Sequence, residues 1–343
     1  MKRIAVILCT TTLFLAACAP SQPATLTVMT HSSFAVSEGV IKSFEEAHHV
    51  KVAFVQGGDA GETLNKAILT KDVPLADVLF GVDNTFLSRA LEAGIFEPYE
   101  SSVLAGLPDE FKLDDTNHVA PVDFGDVCIN YDKDYFVQNR LAIPTSLEEL
   151  ANPEYRGLLV VENPATSSTG LAFLLATRAH FGDDYLDYWQ SLKDNEVVVV
   201  DGWETAYYTN FSAASGQGPQ PLVVSYGSSP AVEVVFAETP LDDSPTASII
   251  GPDTCFRQIE FVGILKGTGN RALAEKFVDF MLSRQFQEDI PLQMFVYPVD
   301  SNAVLPEEFT KYAQAPDQPA LLSPDEIATN RESWIEAWLG VMK

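Results

Sequence analysis

Apolar and polar positions along the chain fall into two alternating kinds of block. Residues 26–29, 50–55 and 76–80 are short runs rich in Val, Leu and Phe, each stopped by a polar or glycine-containing turn, and read as strands. A stretch ending near residue 48, and then 62–69 and 85–93, carry helix-forming residues instead. This alternation predicts an α/β lobe with a largely parallel sheet. In such sheets ligands bind beyond the carboxyl ends of the strands, at helix N-termini. The turns around Ser32, Asp59 and Asp83 fall at that edge, and each fits equally well as a helix N-cap.

Residues 119–131 are a longer extended segment in which Asp123 breaks the apolar alternation. Burying that carboxylate is costly unless it meets a partner or a solvated cleft. A second α/β series follows, with strands at 158–161, 197–200 and 222–225 and helices at 147–150, 171–181, 185–192 and 203–211. Residues 255–265 are extended again and cross back. Helix 271–283, the aromatic run Met294-Phe295-Val296-Tyr297-Pro298 and an amphipathic helix at 324–342 complete the chain. Trp334 and Trp338 lie four apart on one face of that last helix and are expected to pack.

Two stretches carry candidate chemistry. Thr166-Ser167-Ser168-Thr169-Gly170 sets four hydroxyls at a helix start, where hydroxyl and backbone N–H groups can hold an anion or a carbonyl. Asp201-Gly202-Trp203-Glu204-Thr205-Ala206-Tyr207-Tyr208 places Trp203 in a strand-to-helix turn, with Tyr207 one helical turn later. Large aromatics usually belong to a core. In this turn they would equally form the wall of a cleft for a flat or cationic ligand.

The chain has 343 residues, more than one compact core usually takes, so two lobes are expected. Its formal net charge is −27, from 48 acidic and 21 basic residues, which excludes nucleic acid as a partner and favours a cationic ligand. Met1-Lys2-Arg3 and the apolar segment 4–14 form an export signal too short to span a bilayer. It ends in Leu15-Ala16-Ala17-Cys18, which resembles a bacterial lipobox. A lipid on Cys18, loss of residues 1–17 and a tether at 18–24 follow; the alternative is an ordinary signal peptide with an incidental cysteine. Removing 1–17 takes two basic residues from a charge of −27, leaving −29. Of four cysteines, Cys9 lies in the signal and Cys18 takes the lipid. Cys128 and Cys255 remain, and an exported pair without clustered histidines favours a disulfide over a metal site.

No HExxH, GxxxxGK[ST] or GxSxG occurs, and the five histidines are scattered. Gly267-Thr268-Gly269-Asn270-Arg271-Ala272 matches GxGxx(G/A) but reads as a strand-to-helix turn. Taken together, the exported lipoprotein signal, the two α/β lobes and the two crossing segments resemble a substrate-binding protein of an ABC importer, of the class with two hinge strands. The resemblance is to the thiamine-binding family. It rests on Thr30-His31-Ser32-Ser33-Phe34, Gly81-Val82-Asp83-Asn84, Pro121-Val122-Asp123-Phe124-Gly125 and Thr166-Ser167-Ser168. It continues through Gly202-Trp203-Glu204-Thr205-Ala206-Tyr207, Ser225-Tyr226-Gly227-Ser228-Ser229-Pro230 and Tyr297-Pro298-Val299.

The resemblance implies a two-lobed periplasmic-binding-protein-like fold, with lobe 1 at 25–126 plus 257–290 and lobe 2 at 127–256 plus 291–343. It implies a monomer, lipid-anchored outside the cell membrane, that delivers thiamine or a thiamine phosphate to an ABC permease and ATPase, with no catalytic residue, metal or cofactor. The implied ligand-binding set is His31, Ser33, Asp59, Asp83, Asp123, Ser167, Ser168, Trp203, Tyr207, Tyr226 and Phe295. His31 stands where the family has Tyr, Phe295 where it often has Trp, and Val232 where an aromatic is expected. Cys128 and Cys255 would join the two hinge strands. Two other readings stay open. A ferric-ion binder of the same architecture would use Tyr207 and Tyr208, and an exported enzyme would need Ser225 with His118 or His180.

Overall fold

The two long extended segments pair with each other in the middle of one continuous mixed sheet. The computed structural model describes residues 23–213 and 216–343, so the signal, Cys18 and most of the tether lie outside the described residues. On one side of the centre, strand Ala24–Thr30 runs parallel to Val50–Gln56 and Val78–Asp83. On the other, Leu222–Tyr226 runs parallel to Leu159–Glu162, which in turn pairs with Val198–Val200. Both groups are parallel, as the strand–helix alternation predicts. The antiparallel joins come from the centre, where Phe256–Leu265 lies between Val78–Asp83 and Ala120–Asp132.

Strand Ala120–Asp132 changes partners along its length. Residues up to Val127 pair with Phe256–Leu265, whereas Val127–Tyr131 pair with Leu222–Tyr226 and Ile129–Asp132 with Thr246–Ile249. One strand therefore belongs to both lobes. Pairing of Val127 with Phe256 sets Cys128 opposite Cys255, and the two form a disulfide with a Cα–Cα distance of 4.3 Å.

Helices cover the sheet. Helix Ser168–Phe181 is buried from Ser168 to Thr177, and the Trp189 indole behind it donates to Thr177 Oγ1 at 2.9 Å. Helix Pro324–Met342 spans the expected residues, and its Trp334 and Trp338 are packed, Trp338 edge-on to Trp189 at 5.4 Å. This helix also reaches lobe 1, where Arg331 donates to the Thr85 carbonyl at 3.1 Å.

Two local expectations are corrected. Gly81-Val82-Asp83 continues a strand instead of turning, because antiparallel pairing with Glu260–Ile264 extends Val78–Asp83 by three residues. Gly81 tolerates this at φ +96°, and a Cβ there would stand 2.2 Å from His31 Cδ2. The turn after Trp203 opens into a π-helix, Thr205–Asn210, in which the Phe211 N–H reaches the Ala206 carbonyl at 2.9 Å. Helix Ser229–Val235 follows strand Leu222–Tyr226, and its proline sits in the first turn, where no N–H is needed.

The disulfide closes a sequence separation of 127 residues, for which chain entropy gives roughly 4–5 kcal/mol at most. Replacing both Cys128 and Cys255 by Ser is expected to lower the unfolding free energy in urea titration by an amount approaching that figure, with a lower midpoint. An unchanged midpoint would show that the bridge constrains nothing beyond the strand pairing.

Candidate functional site

A cavity of about 270 Å3 opens where the carboxyl ends of the lobe 1 strands face the start of helix Ser168–Phe181 and the π-helix. Sheet topology brings these ends together from both lobes, the position expected for a ligand in an α/β sheet. One wall is aromatic. The Trp203 and Tyr207 rings stack at 5.2 Å and 21°, and Tyr226 meets Trp203 at 6.5 Å and 61°. Residues four apart share one helical face and stack here, and both rings rest on a small separate core that includes Val160, Phe211 and Val223. Polar ends are tied behind the wall. Trp203 Nε1 donates to Ser225 Oγ at 2.9 Å, and the Tyr207 hydroxyl donates to Glu233 Oε1 at 2.7 Å. Trp203 is half-buried and forms part of the cavity lining, so neither pure core nor free cleft describes it.

The facing wall is acidic. Asp59 caps helix Ala60–Leu69 through Ala60 N at 2.7 Å, and it also accepts Ser168 N at 3.3 Å and Trp203 N at 3.2 Å from the other lobe. Burial raises its pKa, and those three N–H groups hold the rise down. On the floor, Glu260 is in register with Asp83 on one side and Asp123 on the other, which sets three carboxylates in a row across three strands. Like charges directly opposite are unfavourable, so they do not all ionise. Burial and then the Glu260 charge raise Asp123 well above the carboxylate range, and burial moves Asp83 up to about 6. Glu260 keeps its charge. Burial alone would raise its pKa, but His31, whose Nε2 lies 3.3 Å from Glu260 Oε1, lowers it below the usual value. For His31, burial lowers the pKa but the Glu260 charge, with Asp59 and Asp83 behind, leaves it raised.

Eight of the eleven expected ligand residues line this cavity: His31, Ser33, Asp59, Ser168, Trp203, Tyr207, Tyr226 and Phe295. Three do not. Ser167 is fully buried with its Oγ 3.0 Å from Thr169 Oγ1, Asp123 is sealed behind Glu260, and Asp83 lies beneath the wall. Asp83 acts at one remove, since it accepts Gln258 Nε2 at 3.0 Å while Gln258 Oε1 accepts the Tyr226 hydroxyl at 2.9 Å. Phe295 lies at φ 60°, a costly conformation for an aromatic residue, with its ring edge-on to Phe236 at 5.4 Å. Val232 also lines the cavity. Glu260, outside the expected set, also lines the cavity, and it breaks the apolar run of its strand just as Asp123 does.

The other two readings find no site among these residues. Tyr207 is buried against Trp203 and Glu233 while Tyr208 is 44% exposed, so the pair does not converge. Among the described residues no group of three or more His, Cys, Asp or Glu could hold a metal ion. Ser225 bonds Trp203 and Ser229, His118 bonds Thr116, and His180 lies between Glu148 and Asp253, so no Ser225–His pair forms. The glycines at 267 and 269 belong to a strand-to-helix turn whose Thr268 and Asn270 side chains are tied to Asp77.

Residues 73–320 match the bacterial extracellular solute-binding protein family. The chain is 32% identical over 318 residues to the thiamine-binding periplasmic protein of Escherichia coli (strain K12), covering 91% of this chain and 92% of that one. Among solved structures, a periplasmic thiamin binding protein is similar with a TM-score of 0.81 and 28% identity, over 94% of this chain and 97% of the other. A ferric binding protein from Campylobacter jejuni, 19% identical with a TM-score of 0.74 over 92% and 99% of the chains, shares the fold.

Asp59 is the carboxylate that bonds both lobes at once. Asp59→Ala is expected to lower stability by about 1 kcal/mol through loss of the cap. Its radius of gyration in solution scattering should also rise as the lobes separate, while Asp59→Asn, which keeps an acceptor oxygen, stays near the parent. Equal scattering of all three proteins would remove Asp59 as an inter-lobe contact.

Proposed function

The chain belongs to the bacterial extracellular solute-binding protein family, and from that membership we propose that it captures thiamine, or a thiamine phosphate, for an ABC importer. The observation that carries this reading is the stacked Trp203–Tyr207 pair facing the Asp59 and Glu260 carboxylates across one cavity. A thiazolium bears a fixed positive charge, which aromatic faces and carboxylates stabilise, while an aminopyrimidine ring stacks and offers paired hydrogen bonds. The relatives that carry thiamine in their names give the same ligand. Binding and release, with no chemical step, are what this cavity is built for.

Closure follows from the hinge. We take residues 25–126 with 257–290 as one body and 127–256 with 291–343 as the other, because strand Ala120–Asp132 changes partners at Val127. A monomer tethered by a lipid on Cys18 would stay beside its permease and ATPase at the outer face of the membrane. Ligand capture then draws Trp203 and Ser168 of one body onto Asp59 of the other.

Losing one stacked aromatic at a desolvated cation costs on the order of 2 kcal/mol, about thirtyfold in affinity. Calorimetric titration with thiamine should therefore show Trp203→Ala weakened to that degree and Trp203→Phe much less. The empty Trp203→Ala protein should melt within a few degrees of the parent, since the side chain is only half-buried. Parent-like thiamine affinity in a stable Trp203→Ala protein would end the assignment. Separately, Cys18→Ala should move the protein out of the membrane fraction, and full retention there would refute the anchor.

A further inference from the structure

His31 is one of the residues at which this chain departs from the resemblance, and the structure gives it a defined seat. Its ring packs over Gly81, whose missing side chain makes the room, and lies 5.7 Å from the Phe80 ring. Its Nε2 is 3.3 Å from Glu260 Oε1, and both side chains are almost withdrawn from solvent, at 12% and 10% exposure. Both also line the cavity. The groups facing the imidazole are all acidic or neutral. Glu260 comes from the second hinge strand, with Asp123 behind it; Asp59 comes from the loop before helix Ala60–Leu69, and Asp83 from the strand beneath. Tyr226, from the other lobe, faces the same acids with a neutral hydroxyl.

Three in-register carboxylates and Asp59 make this the natural resting place for one positive charge. In the empty cavity that charge is the imidazolium. An organic cation with a fixed charge needs the same Glu260 carboxylate, and two adjacent cations there repel each other at a Coulombic cost. We propose that His31 is the resident counter-cation of the cleft, and that capture of a thiamine-type cation is an exchange in which the ligand takes over Glu260 and His31 gives one proton to solvent. The inference rests on the cationic-ligand reading above and names the residue that sets its charge preference. The exchange balances: one positive charge enters the site as the ligand and one leaves as a proton, so the charge of the cavity is unchanged. A neutral analogue of the same shape would displace no proton and forgo the ion pair.

The sign of the pH dependence follows. The His31 pKa is raised in the empty protein, so the imidazolium is fully formed below the ordinary value of 6.5 and lost only as the pH climbs past the raised value. With a cation bound, the imidazole is neutral. Affinity therefore rises with pH by about tenfold per unit up to the raised pKa of the empty protein and is flat above it.

The test is calorimetric titration with thiamine at pH 6.5 and pH 8.5, in buffers of different ionisation enthalpy. Proton release per thiamine by the parent protein should be larger at pH 6.5 than at pH 8.5, falling as the pH climbs past the raised His31 value. His31→Gln and Glu260→Gln, whatever their affinities, should release clearly less than the parent at pH 6.5. Thiamine binding by the parent without proton release, or unchanged release by His31→Gln, overturns the exchange while leaving the ligand reading intact. A parent that gives no heat with thiamine fails the ligand reading instead. The ion pair is then decided by nuclear magnetic resonance of the imidazoles in the empty protein, needing no variant to fold: a His31 midpoint at or below 6.5 overturns it.

Discussion

Three carboxylates side by side across the hinge are the constraint around which this cleft is organised. Asp83, Glu260 and Asp123 occupy matching positions on three adjacent strands, where like charges repel and water is largely excluded. The protein resolves this by unequal ionisation. Burial and the Glu260 charge push Asp123 well up, Asp83 is poised near 6, and Glu260 alone of the three is lowered, because His31 stands beside it. Each neighbour of the row then has a task. Gly81 makes room for His31, and Gln258 links Asp83 to Tyr226, so the position of an aromatic wall residue depends on an acid that never touches the cavity.

The hinge itself is the same pair of strands. A strand that pairs with one lobe along its first half and with the other along its second couples the two bodies covalently and by hydrogen bonding. The disulfide sits where the two hinge strands stop pairing, next to Val127 and Phe256. It fixes the register of the central pair, and with it the alignment of Glu260 against Asp123. A slip of one residue in either strand would send its acid to the opposite face of the sheet from the other.

Across the cavity, the aromatic wall is built by local backbone as much as by residue type. A regular α-helix after Asp201-Gly202 would still set Trp203 and Tyr207 on one face, but the π-turn widens the helix so that Phe211 drops into the small core beneath them. Tyr207 then backs Trp203 while Tyr208 turns outward, and two adjacent tyrosines have different fates. Asp59 meets this wall through the Trp203 N–H, so the wall position and the closure of the lobes share one contact.

Much of the architecture was legible in the chain because it follows from short-range rules. Strand and helix blocks, the parallel character of each lobe, the packed Trp334 and Trp338, and Cys128 and Cys255 as a pair depend on periodicity and residue type, and the observed elements agree with them. Eight of the cavity residues were also readable, since polar turns at strand ends and an aromatic after Asp-Gly mark a sheet's ligand edge whatever the partner strands are. What the chain alone left undecided was which acids touch the cavity. Asp83, Asp123 and Glu260 look alike as interruptions of apolar runs; only the tertiary structure places Glu260 on the cavity floor, with Asp123 and Asp83 out of the lining. The seat of His31 likewise needs Gly81 from 50 residues away and Glu260 from the far hinge strand. Those contacts are long-range pairings between elements, and no local pattern of side chains encodes a register across a sheet.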